Sequence, residues 1–196
     1  SLRASAQMIS YEIAMGLSVI PVIMFAGSLK LTDIVAHQGA NPWFVLSQPL
    51  SCLLFVIAAF AETNRLPFDL PEAEPELVAG YHTEYSSMKF AMFMLGEYVN
   101  MMTASALIVT LFFGGYHLPW VETLPFFQAH AGWLALLQIA TFLAKVCVWL
   151  FIFLWVRWSL PRFRYDQLMG LGWRVLLPLA LVNLAVYGLW SLTDLR

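Results

Sequence analysis

From Ala131 to Val156 the chain runs for 26 residues with Lys145 as its sole charge. A helix needs about 20 mostly apolar residues to cross a hydrocarbon core, so this run is long enough to span a bilayer. Four more runs have the same character: residues 5–29, 43–61, 90–113 and 174–192. The hydrophobic fraction is 61%, with only 11% charged residues, which leaves too little polar surface to coat a soluble domain of this size. No stretch alternates with period two, so a β-barrel is not supported. The expectation is an all-α, polytopic transmembrane helix bundle forming one integral membrane domain of about five spans. No internal repeat is evident.

Between the second and third spans lies AETNRLPFDLPEAEPELVAGYHTEYSSMK, residues 61–89. Glu62, Asp69, Glu72, Glu74, Glu76 and Glu84 put six of the twelve acids into this connector, against only Arg65 and Lys89. Carboxylates this crowded raise one another's pKa, as proton-handling groups require. The competing reading is a solvated acidic turn. Asp69 and Pro71 read as a turn leading into a short helix, on which Glu72 and Glu76 share a face. Tyr81, His82, Glu84 and Tyr85 offer hydrogen-bonding groups suited to the head of a lipid-like ligand.

Inside the spans stand Glu12, Glu97 and Lys145, at a cost of about 2.5–3.5 kcal/mol each for a central charge. Lys145 shares a helical stripe with Thr141 and Gln138 and is expected to face the bundle, near a carboxylate or water. Glu97 is followed by Asn100 and Thr103. Both stripes fit a hydrated passage, or equally interhelical bonds that serve packing.

Other chemistries find little support. A net charge of −2 argues against a nucleic-acid partner. His37, His82, His117 and His130 fall in or next to loops and do not form paired haem ligands, and no metal site is expected. There is no CxxC, phosphate loop or GxSxG. Cys52 and Cys147 sit in apolar runs and read as small buried hydrophobes. No cleavable signal peptide is visible, and the absence of an initial Met suggests a missing upstream part.

Several strings together carry a resemblance. AETNRLPFDLPEAEPELVAGYHTEYSSMKFAMFMLGEY, with SLRASAQMISYE near the start and LPRFRYDQLMGLGWRVLLPL near the end, resembles the membrane subunit at the heel of respiratory complex I. This is subunit 1 of the mitochondrial NADH dehydrogenase and the H-subunit of the bacterial enzyme. Its members have eight spans, and this chain resembles the last five. The resemblance implies a subunit of a translocase, not catalytic alone, in the bacterial or mitochondrial inner membrane. Quinone (ubiquinone or menaquinone) is then the substrate, and this chain carries no prosthetic group. FMN and iron–sulfur clusters would reside in partner subunits, with soluble quinone-module subunits, membrane-arm subunits and membrane lipids as neighbours. By matching motif, Glu12, Glu62, Glu72, Glu74, Glu76, Glu84 and Glu97 would form an acidic proton path. Arg65 and Asp69 would shape the quinone chamber, joined by Tyr81 and His82. Pro75 departs from the family's usual small or polar residue. The rival readings are the equivalent subunit of an energy-converting hydrogenase and a stand-alone cation channel or transporter.

Basic residues orient the bundle. Arg3, Arg65, Lys89, Arg157, Arg162, Arg164 and Arg174 fall on one side, and Lys30 and Arg196 on the other. By the positive-inside rule the acidic loop faces the cytoplasm or matrix. Cysteines placed at positions 72–84 in oriented membranes should therefore resist an impermeant reagent applied from the outer face; ready labelling from that face alone would reverse the topology.

Overall fold

The computed structural model describes residues 2–63, 68, 87–118, 131–161 and 163–194, and these are largely helical with no strand among them. The elements are α1 (Leu2–Ala26), α2 (Leu31–Ala40), α3 (Phe44–Ser47), α4 (Pro49–Glu62), α5 (Met88–Phe112), α6 (Ala131–Ser159), α7 (Tyr165–Gly170), a π-helical turn (Leu171–Leu176) and α8 (Leu177–Asp194). Within these, Met8–Ala26, Met88–Phe112, Gly132–Ser159 and Tyr165–Ser191 are long and apolar enough to cross a membrane. The expected span 43–61 differs. It is broken at Gln48, and α4 has only 14 residues, a rise of about 21 Å. Pro49 explains the break: it opens α4 at a position that needs no N–H, while its ring pushes Gln48 out of helical geometry (φ −133°, ψ 60°).

Helix α1 is the hub, packing along both α4 and α8, while α5 pairs with α6. The shared core is apolar and aromatic. Phe60 lies 4.1 Å from Phe153 and Phe55 lies 5.6 Å from Phe112, centroid to centroid. A few buried polar bonds cross it. Asn183 donates to Ser51 Oγ at 2.7 Å, joining α8 to α4, and the Tyr11 hydroxyl donates to Leu168 O at 3.0 Å. The π turn sits where Gly172 backs onto Ser10 of α1, leaving no room for a Cβ. Outward faces remain apolar, with Trp133, Ile139, Phe151 and Trp155 of α6 all exposed, as expected of surface that meets lipid or a partner. Cys147 belongs to that face. Only Cys52 is buried, so the expectation of two buried thiols is corrected: the apolar run around Cys147 faces outward.

The polar segment KLTDIVAHQGANP, between α1 and α3, contains the ten-residue helix α2. Ile34, Val35 and Gln38 form its buried face, and His37 lies in its last turn and not in a loop. Gln38 closes the end of α5. Its Nε2 donates to Thr110 O and Leu111 O at 3.1 Å, and its Oε1 accepts the N–H groups of Gly114 (3.0 Å) and Phe44 (3.3 Å). Gly114 and Gly115 turn the chain there with φ of +70° and +53°, a region costly for residues with a Cβ. A Cβ on Gly114 would stand 2.6 Å from Trp43 Nε1.

Lys145 meets the same turn from α6. Its ammonium donates to the carbonyls of Phe113 (2.8 Å), Gly115 (2.9 Å) and His117 (2.8 Å), 4.5 Å from the centre of the Trp43 ring. Thr141, one turn away, donates to Tyr116 O at 3.1 Å. The stripe read from spacing thus faces a backbone turn. Lys145→Met should lower the stability of the α5–α6 pair by about 1–3 kcal/mol, the net value of hydrogen bonds to a charged group. Thermal denaturation followed by tryptophan fluorescence checks this; an unchanged midpoint would show that these bonds contribute nothing net.

Candidate functional site

Helices α1 and α4 bring two of the expected acids together. Glu12 follows the buried Tyr11 on α1 and is itself exposed. Tyr11 is pinned by its bond to Leu168 O and by an edge contact with Phe68 at 5.6 Å, which fixes the register of α1 at this level. Phe68 in turn lies 5.8 Å from Phe163, so α1, the chain just past α4 and the segment before α7 meet in one aromatic cluster.

Glu62 closes α4, one residue beyond the expected span. Its Oε2 is buried with no hydrogen-bond partner among the described residues. Burial first, and the neighbouring Glu12 charge second, push its carboxyl above the ordinary value of 4.5. Thr63 caps the turn, its hydroxyl donating to Phe60 O at 3.1 Å. Ser10 adds a second buried oxygen without a partner among the described residues, next to Gly172 of the π turn. Chemically, this is a pair of carboxylates of which one is biased toward its protonated form. Such a group holds a proton to higher pH than a solvated glutamate does.

Glu97 is half-buried on α5 and engages a partner. Glu72, Glu74, Glu76, Glu84, Arg65, Asp69, Tyr81 and His82 lie outside the described residues. Among the described residues no group of three His, Cys, Asp or Glu side chains could hold a metal ion. Sequence reasoning passed over Ser10, whose only signal was its place two residues before Glu12.

A family model described as NADH dehydrogenase matches residues 1–188. The chain belongs to the NADH dehydrogenase family. It is 56% identical over 189 residues to the NADH-quinone oxidoreductase H-subunit of Salinibacter ruber, covering 93% of this chain and 55% of that protein. It is 55% identical over 195 residues to NADH-quinone oxidoreductase subunit 8 of Rhodothermus marinus, covering 96% and 57%. With the H-subunit of Deinococcus deserti it shares 57% identity over 182 residues, covering 93% and 45%. The chain therefore spans about half the length of the curated relatives it matches. Its long apolar helices and its family make this NADH dehydrogenase member an integral membrane protein.

The raised Glu62 carboxyl carries a pH dependence. A carboxyl whose native pKa exceeds its unfolded value binds its proton more tightly when folded. Its cost to the fold is therefore absent below pH 4.5, grows as pH rises from there to the shifted value, and is constant above it. Glu62→Gln should raise the melting temperature of the protein at pH 8, and the gain should shrink as pH falls toward 4.5. A gain that is equal at every pH would mean that the carboxyl's ionisation has no part in it.

Proposed function

We propose that this chain is the C-terminal part of the membrane subunit of a proton-translocating NADH:quinone oxidoreductase. In this reading it forms part of the quinone chamber and of the acidic path that couples quinone reduction to proton pumping. The observation that carries the reading is the Glu12–Glu62 pair, placed where α4 runs into the acidic loop, with one Glu62 oxygen buried and unpartnered among the described residues. A buried, unpaired carboxylate is costly, and proteins retain such groups where a proton must come and go. The relatives' printed names supply the enzyme class and the quinone.

The roles follow the motif resemblance. Glu62 exchanges protons with the loop carboxylates Glu72, Glu74, Glu76 and Glu84. Glu12, exposed on α1, passes charge along the bundle, and Glu97 on α5 continues the path toward membrane-arm subunits. Arg65, Asp69, Tyr81 and His82 line the chamber that receives the quinone head. The electrons come through iron–sulfur clusters and FMN in partner subunits. The acidic loop faces those partners on the cytoplasmic or matrix side.

Gln keeps the size and hydrogen bonding of Glu but cannot ionise. Glu12→Gln, Glu62→Gln and Glu97→Gln should therefore give assembled complexes with quinone reduction and proton flux lowered together, by about tenfold or more for a group acting in proton transfer. Turnover and flux per assembled complex, measured in vesicles, check this. Normal turnover in all three variants, or poor assembly with normal turnover per surviving complex, would reduce the acids to a structural role.

A further inference from the structure

Connecting segments normally run over the surface of a protein. Past the turn at Thr63 the acidic loop does the reverse at Phe68, which is only 5% exposed and belongs to the shared apolar core. In the sequence Phe68 directly precedes Asp69, and Arg65 stands three residues before it. A buried aromatic among charged neighbours anchors the chain at that point.

Two rings from distant segments receive it. Tyr11 of α1 meets Phe68 edge-on at 5.6 Å, with the ring planes 68° apart. Phe163, in the segment before α7, lies at 5.8 Å with the planes 50° apart. Both supports are themselves held. The Tyr11 hydroxyl donates to Leu168 O at 3.0 Å, and the preceding Ser10 packs against Gly172, where no Cβ fits. Phe163 is followed by Arg164, whose N–H donates to Gln167 Oε1 at 3.2 Å and opens α7. The receiving walls are therefore fixed before Phe68 enters.

Ring edges and ring faces carry opposite partial charge, so such contacts fix orientation as well as filling space. An aliphatic side chain can fill the volume but not hold the angle. With Thr63 and Phe68 both buried, the link 64–67 is held at each end. Tyr11 also adjoins Glu12, whose charge acts on Glu62 at the end of α4. The clamp thus meets α1 at the level of the acid pair.

We propose that Phe68 is a positioning residue: its ring, clamped between Tyr11 and Phe163, holds the start of the acidic loop against the Glu12–Glu62 pair. The proposal rests on the coupling role stated above, and its test separates the two. Phe68→Leu keeps an apolar side chain and removes the ring. Quinone turnover and proton flux per assembled complex should fall together by about tenfold or more, as small misplacements of reacting groups cause, with KM for a short-chain quinone unchanged. In a Glu62→Gln background the same change should add nothing, because it acts through that carboxyl. Phe163→Leu alters a half-buried ring and should give the same pattern more weakly, so the result stands if the Phe68 variant does not assemble. Position is also read without activity: a cysteine introduced by Leu70→Cys should react with a maleimide about tenfold faster when combined with Phe68→Leu, as a locally released segment does. Equal labelling rates would overturn the proposal whatever the turnover. So would poor assembly with normal turnover per surviving complex in both ring variants, a rise in KM with kcat intact, or a full further loss in the Glu62→Gln background. Normal turnover in Glu62→Gln alone would instead reject the coupling role, and the labelling rates would then decide whether the clamp holds the loop.

Discussion

Helix α5 ends among apolar helices, where the carbonyls of its last turn have little water to meet and must be satisfied by protein. Two side chains from opposite directions do this. Gln38 spends both ends of its amide on the turn, and Lys145 places its ammonium among three carbonyls. A positive charge at a helix C-terminus also meets the negative end of the helix dipole. The turn is held on a third side by Trp43, which lies so close that only a glycine fits at position 114. This knot ties α5 to α2 and α6, while Phe55–Phe112 and Phe60–Phe153 join the α5–α6 pair to α4.

The sequence made the helical bundle legible because long uncharged runs admit few alternatives in a chain with so little polar surface. It did not reveal helix α2, whose buried face is only Ile34, Val35 and Gln38 within a polar context. An amide at a core position looks like loop chemistry until its five bonds are seen. Lys145 was flagged by its cost in a membrane, but spacing could not separate a carboxylate partner from a cluster of carbonyls. That the second expected span is interrupted follows from Pro49, which was visible; the shortness of the helix after it depends on Gln48 turning away to reach Pro21.

Of the acids named from sequence, Glu12, Glu62 and Glu97 can be placed, and the placement separates them. Glu62 stands where burial and a like charge act together, while Glu12 shares its electrostatic neighbourhood from the exposed side of α1. Charge density in the sequence pointed to the loop as a whole. It could not single out Glu62, because the desolvation of that carboxyl comes from the packing of α1 on α4. Tyr11 supplies the fixed point for that packing.

The bond from Tyr11 to Leu168 joins groups 157 residues apart in the chain, and the bond from Asn183 to Ser51 spans 132. During biogenesis the early helices thus enter the bilayer with polar groups whose mates have not yet been synthesised. The core around α1 cannot close until α7 and α8 have been released, so its completion waits on helices far along the chain. A prematurely terminated product would leave Ser51 and Tyr11 seeking other donors and acceptors inside the membrane, the kind of exposed polarity that quality-control proteases read as a degradation signal.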